Sequence, residues 1–131
     1  MTKQHPIEII LLRQWASHMA MPVWIAGEKG ELLYYNEPAE ELLGRRFDEA
    51  GEMRWKDLAS IFRASKPDGE PLGPDDLPLA KALNDRQPAH QRVRITALDG
   101  ATRLLDITEL PLLVQGGSYL GAMAVFWEPA E

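Results

Sequence analysis

The chain has 131 residues, of which 45% are hydrophobic and 26% are charged, so we expect one globular domain with a single core. A net charge of −6 argues against nucleic-acid partners. The absence of cysteine excludes disulfides, thiolate nucleophiles, cysteine metal ligands and cysteinyl-flavin photochemistry. The longest apolar run near the N-terminus, residues 9–12, is too short to cross a membrane, and no signal peptide is recognisable. We therefore expect a cytoplasmic protein without a membrane partner.

The first predicted element is a helix over residues 6–19, because apolar residues recur there at three- and four-residue steps. Further apolar residues widen this stripe beyond one packing face. Two interpretations stay open: the helix caps one side of the core, or it also pairs with a second copy of the chain. The candidate dimer contacts are Ile7, Ile10, Leu11 and Trp15 on this helix and Trp127 near the C-terminus.

A β-hairpin is predicted next, with strands over residues 23–26 and 31–35 joined by a glycine-containing turn. Asn36 is a predicted N-cap for a helix over residues 37–43, because its side chain accepts a hydrogen bond from a free helical N–H. Pro38 suits the first turn of that helix and Gly44 its end.

The middle of the chain predicts two more helices around a proline- and glycine-rich loop over residues 66–74. The first helix covers residues 55–63, where apolar residues fall at helical spacing. The second ends near residue 85, with Asp75 or Asp76 as its N-cap and Pro78 in its first turn.

The last third predicts a three-stranded meander. Residues 92–97 alternate between apolar and polar, Asp99-Gly100 is typical of a hairpin turn, and residues 102–114 form the partner strand. After a turn at Gly116-Gly117, residues 119–127 are apolar on both faces, which predicts a central strand covered on both sides. The fold class is therefore α+β, with one five-stranded antiparallel sheet.

Three phrases in this order resemble the PAS domain family. They are Tyr-Asn-Glu-Pro-Ala at residues 35–39 followed by Leu-Leu-Gly at 42–44, the helix at 77–83, and the last strand at 121–126. The resemblance divides the chain into an N-terminal helix, residues 1–20, and a PAS-like domain, residues 21–131. It implies a five-stranded sheet with short helices on one face, often around a central pocket. Members bind a flavin, haem or small metabolite, or hold no ligand and dimerise.

Two aromatic residues, Trp55 and Phe62, are the main candidates for lining such a pocket. The other candidates lie opposite them and are Leu42, Leu58, Leu83, Ile95 and Ile107. A pocket with these walls favours a small, mostly apolar or aromatic ligand.

The sequence contains no metal or catalytic constellation. His5 and His18 are not at a chelating spacing, and the helix before the third strand has no histidine for a haem, which leaves His90 as a residue of the pocket rim or the surface. Haem and non-covalent flavin are therefore not favoured, and the cofactor stays unknown, with none as an alternative. Asp106 is predicted to face solvent, away from Leu105 and Ile107.

These patterns favour a sensory or signalling module that is not an enzyme. With no kinase, cyclase or DNA-binding segment in the 131 residues, we expect output through a homodimer or a separate signalling protein. One alternative is a ligand-free structural adaptor with a core filled by side chains. The other is a small, cone-shaped α+β enzyme, which predicts a buried carboxyl group with a raised pKa.

Overall fold

A computed structural model describes residues 7–113 and 116–130. The predicted order of helices and strands is confirmed, and two short helices in the middle are additions to it. The elements are α1 (Ile7–Ala16), β1 (Val23–Gly27), β2 (Leu32–Tyr35), α2 (Glu37–Leu43), α3 (Phe47–Ala50), α4 (Trp55–Ile61), a 3-10 helix (Pro74–Asp76), α5 (Pro78–Asn84), β3 (Ala89–Thr96), β4 (Thr102–Leu113) and β5 (Tyr119–Trp127). Pro6 and Val114 lie outside the described residues.

The five strands form one sheet in the order β2-β1-β5-β4-β3, and every neighbouring pair is antiparallel. The α+β class and the central position of β5 are therefore confirmed. The inner face of the sheet carries the larger core, which α2, α4 and α5 cover. The outer face carries a second, smaller core beneath α1.

Helix α1 packs on this outer face through one side only. Ile9 and Ala16 are buried against Val23 and Ile25 of β1. The opposite side of the helix is exposed to solvent. The helix ends at Ala16, three residues before the predicted end at Met19, and hydrogen-bonded turns follow it.

The predicted N-cap of α5 is wrong. Pro78 is the first residue of the helix, and a proline favours extended backbone in the residue before it, so Leu77 occupies the cap with φ −84° and ψ 151°. Leu77 has no side chain able to accept the helical N–H groups. Asp75 and Asp76 belong to the preceding 3-10 helix, where Oδ2 of Asp76 accepts a hydrogen bond from the Gly73 N–H at 2.9 Å.

The structure confirms Asn36 as the N-cap of α2, and its side chain makes further hydrogen bonds outside the helix. The residue is fully buried, and its Oδ1 accepts from the N–H of Ala39 in α2 at 3.2 Å and of Val23 in β1 at 3.0 Å. Its Nδ2 donates to the carbonyl of Ala16 at the end of α1, at 2.9 Å, and to that of Met21, at 2.8 Å. One side-chain amide therefore joins α1, β1 and α2.

Replacing this amide by a carboxylate tests the junction. In Asn36→Asp, the acceptors for Ala39 and Val23 remain, but an oxygen faces the carbonyls of Ala16 and Met21 in place of the donor. We expect the free energy of unfolding to fall by about 3 kcal/mol, because two buried acceptors lose their partner and a charge enters the core. Urea unfolding measures this change.

The matched control is Asn84→Asp, which makes the same chemical change at an exposed residue of α5. We expect a loss of only a few tenths of a kcal/mol there, from a negative charge near a helix C-terminus. Equal losses in the two variants would contradict the role assigned to Asn36.

Candidate functional site

A cavity of about 90 Å³ lies between the inner face of the sheet and the helices that cover it. Its walls are almost entirely apolar. The sheet contributes Trp24, Val93, Ile95, Leu105, Ile107, Glu109, Ala124 and Phe126, and the helices and their connections contribute Leu43, Leu58, Phe62, Ala64, Leu77, Pro78 and Leu79. The volume is below the roughly 150 Å³ of an engineered apolar cavity that holds benzene, so a guest of a few heavy atoms matches it.

Four of the seven predicted pocket residues line this cavity: Leu58, Phe62, Ile95 and Ile107. The other three, Leu42, Trp55 and Leu83, are half-buried at the edge of the core and are not part of its lining.

Trp55 lies elsewhere because it packs on the turn between β1 and β2. Its ring covers Gly30, whose φ of +81° and missing side chain allow the close approach. The backbone N–H of Trp55 donates a hydrogen bond to the Gly30 carbonyl at 3.0 Å. Helical periodicity places a residue on a face of its helix, but it does not identify what that face meets.

Glu109 is the ionisable side chain among the described lining residues, and the sequence analysis missed it. The residue is only 4% exposed, and its Oε2 has no hydrogen-bond partner among the described residues. Burial raises the pKa of its carboxyl group from 4.5 to about 8, because an apolar environment disfavours the ionised form. The alternation along β4 predicts that Glu109 faces inward, since it follows Leu105 and Ile107 at two-residue steps on the inner face.

Trp24 contributes the second polar atom of the lining. Its ring stacks on Tyr35 with centroids 5.3 Å apart, and its buried indole N–H has no acceptor among the described residues. Trp24 and Glu109 both pair with Ala124, from opposite sides of β5, so their backbones are two strand spacings apart, roughly 10 Å. The small side chain of Ala124 leaves open space between them.

Asp106 lies on the outer face, as alternation predicts, but it is not open to solvent. Only 8% of the residue is exposed, because Arg92 covers it with two hydrogen bonds of 3.0 and 3.2 Å. These bonds lower the pKa of Asp106 and raise that of Arg92. His90 lies beside the pair, with Nδ1 2.8 Å from Oγ1 of Thr108. The cluster is a cross-strand ion pair on the face opposite the cavity.

The predicted dimer contacts lie on the outer side of the molecule. Trp127 is half-buried on the outer face of the sheet, with its ring centroid 6.0 Å from that of His90. The four residues on α1 are largely exposed: Ile7 by 66%, Leu11 by 57%, Trp15 by 55% and Ile10 by 48%.

The cavity does not fit the larger cofactors of PAS domains. Among the described residues, its lining includes no histidine to bind a haem iron, because His90 is on the outer face. A flavin needs more volume and more hydrogen-bonding partners than Trp24 and Glu109 provide. Within residues 7–113 and 116–130 there is no group of three potential metal-binding side chains and no helix long and apolar enough to span a membrane. The cytoplasmic location stays a prediction.

Solved structures of PAS domains match this architecture over nearly the whole chain. The PAS domain of BvgS from Bordetella pertussis aligns with a TM-score of 0.63 and 14% identity, over 95% of this chain and 87% of that one. The chain has the PAS fold. No protein-family model and no curated protein sequence matches it.

Two further PAS-fold structures align equally well. The PAS domain of nitrogen regulation protein NR(II) from Vibrio parahaemolyticus gives a TM-score of 0.63 at 20% identity, over 91% of this chain and 98% of that one. The light-state dimer of the fungal blue-light photoreceptor Vivid gives 0.64 at 14%, over 98% and 97%. At these identities the likeness establishes the fold alone.

The buried carboxyl of Glu109 predicts an unusual dependence of stability on pH. Its pKa is about 8 in the folded protein against 4.5 for a free side chain, so over this range the folded state keeps a proton that the unfolded state has lost. The free energy of unfolding then falls as the pH rises, by up to about 1.4 kcal/mol per pH unit. In Glu109→Gln this dependence disappears, because an amide does not titrate.

Urea unfolding of wild type and Glu109→Gln between about pH 5 and pH 8 measures the effect as the difference between the two curves. Glu41→Gln removes an exposed carboxyl from α2 and serves as the control, with a curve parallel to wild type. A difference between wild type and Glu109→Gln that stays constant with pH would contradict a raised pKa.

Proposed function

We propose that this chain is a PAS-type sensory module that binds a small, mostly apolar molecule in its inner cavity. The observation that carries the proposal is the cavity itself, which lies inside the core of a PAS fold. Its lining includes Trp24 and Glu109, and each of these residues has a buried polar atom without a partner among the described residues. Buried polar groups are normally hydrogen-bonded, so a ligand or water that satisfies them stabilises the folded protein.

Binding of a ligand in this cavity can affect packing on both faces of the sheet. Leu77, Pro78 and Leu79 form one wall at the start of α5, and Ala124 and Phe126 of β5 form another. The other face of β5 contributes Met123 and Val125 to the small core beneath α1. A ligand that moves β5 therefore acts on the packing of α1, which is the route by which we propose the signal leaves the domain.

We further propose that the exposed side of α1 pairs with a second copy of the chain. Ile7, Leu11 and Trp15 follow one another at four-residue steps and leave a continuous apolar stripe in water. The Vivid structure that aligns with this chain is described as a light-state dimer. Trp127, half-buried on the outer face of the sheet, is a second proposed contact. A separate signalling protein is the alternative partner for these residues.

An enzymatic role has less support than a sensory one. Asp106 is unsuited to acid–base chemistry in the cavity, since Arg92 holds its carboxylate on the outer face. Glu109 is the buried carboxyl with a raised pKa that the small-enzyme alternative requires. A single carboxyl without a nucleophile or a second titratable group in the cavity is an incomplete catalytic site. We therefore propose a non-enzymatic function.

Filling the cavity tests the ligand-binding proposal against the ligand-free adaptor. Xenon enters empty apolar cavities, so in wild type we expect NMR shifts under xenon pressure at the methyl groups of Val93, Leu105 and Ala124. Ala124→Leu places a larger side chain in the space, and we expect the xenon shifts to disappear. Ala130→Leu, the same change at an exposed position, should respond as wild type does. Absence of xenon shifts in wild type would favour the adaptor.

A charged residue within the apolar stripe of α1 tests the dimer. We expect wild type to sediment as a dimer at tens of micromolar and Leu11→Glu as a monomer, because pairing would bury the new carboxylate. This substitution is preferable to deleting α1, since deletion would also uncover Val23 and Ile25. Gln87→Glu adds the same charge to an exposed loop and should remain dimeric. A monomeric wild type at that concentration would refute dimerisation.

A further inference from the structure

Two unpaired polar groups lie in the wall of one apolar cavity, on either side of the central strand. The indole N–H of Trp24 is a donor that cannot accept a hydrogen bond. The carboxyl of Glu109 has an atom, Oε2, that meets no donor among the described residues. Both residues pair with Ala124, whose methyl group is the floor between them. A guest held in this space lies against the side chains of both residues.

The surroundings of Glu109 decide which hydrogen bond its carboxyl offers. The lining provides no other charged side chain from β1, β3, β5, α2, α4 or α5 within the described residues. Tyr119 is the titratable neighbour, with its own pKa raised to about 12, chiefly by burial, and Arg86 lies over its ring at 4.8 Å. No cation therefore compensates a buried carboxylate, and near neutral pH the carboxyl group keeps its proton.

A protonated carboxyl and an indole N–H are both donors, so they share a preference for an acceptor. A carbonyl oxygen has two lone pairs and accepts from both, whereas an apolar body fits the remaining walls. We propose that the cavity binds a small, neutral, mostly apolar molecule through its carbonyl oxygen, which Trp24 and Glu109 hold by hydrogen bonds. The inference rests on the proposed ligand-binding function and names its ligand class.

Three molecules of nearly equal shape separate this class from others. Acetone carries the carbonyl, isobutene has the same four-atom shape without a polar atom, and isopropylamine carries a cation. The 131-residue chain is titrated with each, and binding is followed through the indole N–H resonance of Trp24 and the methyl resonance of Ala124. At about pH 6 we expect acetone to bind about tenfold more tightly than isobutene, which is a typical gain from satisfying a buried donor.

Variants assign the preference to the two residues. Glu109→Gln keeps an N–H donor, so the preference for the ketone should remain and lose its dependence on pH. Glu109→Leu removes the donor, so the ketone and the hydrocarbon should bind within about twofold of each other. Trp24→Phe keeps an aromatic ring on Tyr35 but removes the indole N–H together with part of the ring system. The ratio of ketone to hydrocarbon binding, which cancels a general change in cavity volume, should fall. In wild type the preference should weaken above about pH 8, as the carboxyl ionises.

Each outcome has a distinct meaning. Equal binding of acetone and isobutene would overturn the carbonyl preference but leave ligand binding in the cavity intact. Tighter binding of isopropylamine would also overturn it, because the carboxyl would then act as an anion. Failure of all three molecules to bind would overturn the ligand-binding function together with this inference.

Discussion

The side-chain amide of Asn36 is the interaction on which the arrangement of the two layers depends. It caps α2 on the inner side of the sheet and accepts from β1, and it also holds the carbonyls of Ala16 and Met21, which lead from α1 into β1. Asparagine provides one acceptor and two donors from a single group, which a carboxylate or a hydroxyl does not. One buried residue therefore holds elements on both faces of the sheet, with α2 on the inner face and the end of α1 on the outer face.

The inner cavity follows from the size of the residues on the central strand. Ala124 of β5 is small, and the larger side chains of Trp24 on β1 and Glu109 on β4 flank it, so space remains over the middle of the sheet. The carboxyl group of Glu109 lies at this space, although burying a carboxyl group without a partner is energetically unfavourable. A buried carboxyl without a partner lowers stability, and its position in the cavity supports the proposed binding of a ligand. Glu109 is therefore both a residue of the core and a residue of the proposed ligand site.

Much of the fold was predictable from local patterns. The alternation in β3 and β4, the two-faced apolar run of β5 and the Asn-x-Pro start of α2 each identify their element. Alternation also assigns Asp106 to the outer face, but it does not predict that Arg92 covers it there. The start of α5 was not predicted correctly. Because Pro78 is the first residue of the helix, Leu77 is its cap, and Asp75 and Asp76 lie in the preceding 3-10 helix. Trp55 illustrates a second limit, since its contact with Gly30 is long-range and no periodicity encodes it. Glu109 was within reach, two residues beyond Ile107 on an alternating strand.

The central claim is that the core of this PAS fold contains a carboxyl group that is uncharged at neutral pH. The most direct measurement is an NMR titration of the side-chain carboxyl carbon of Glu109 in the folded protein, assigned by comparison with Glu109→Gln. The account predicts that this resonance stays at its protonated position through neutral pH and titrates near pH 8. A midpoint near 4.5, the ordinary value for a glutamate, would contradict the burial of an unpaired carboxyl in the cavity and the ligand class derived from it.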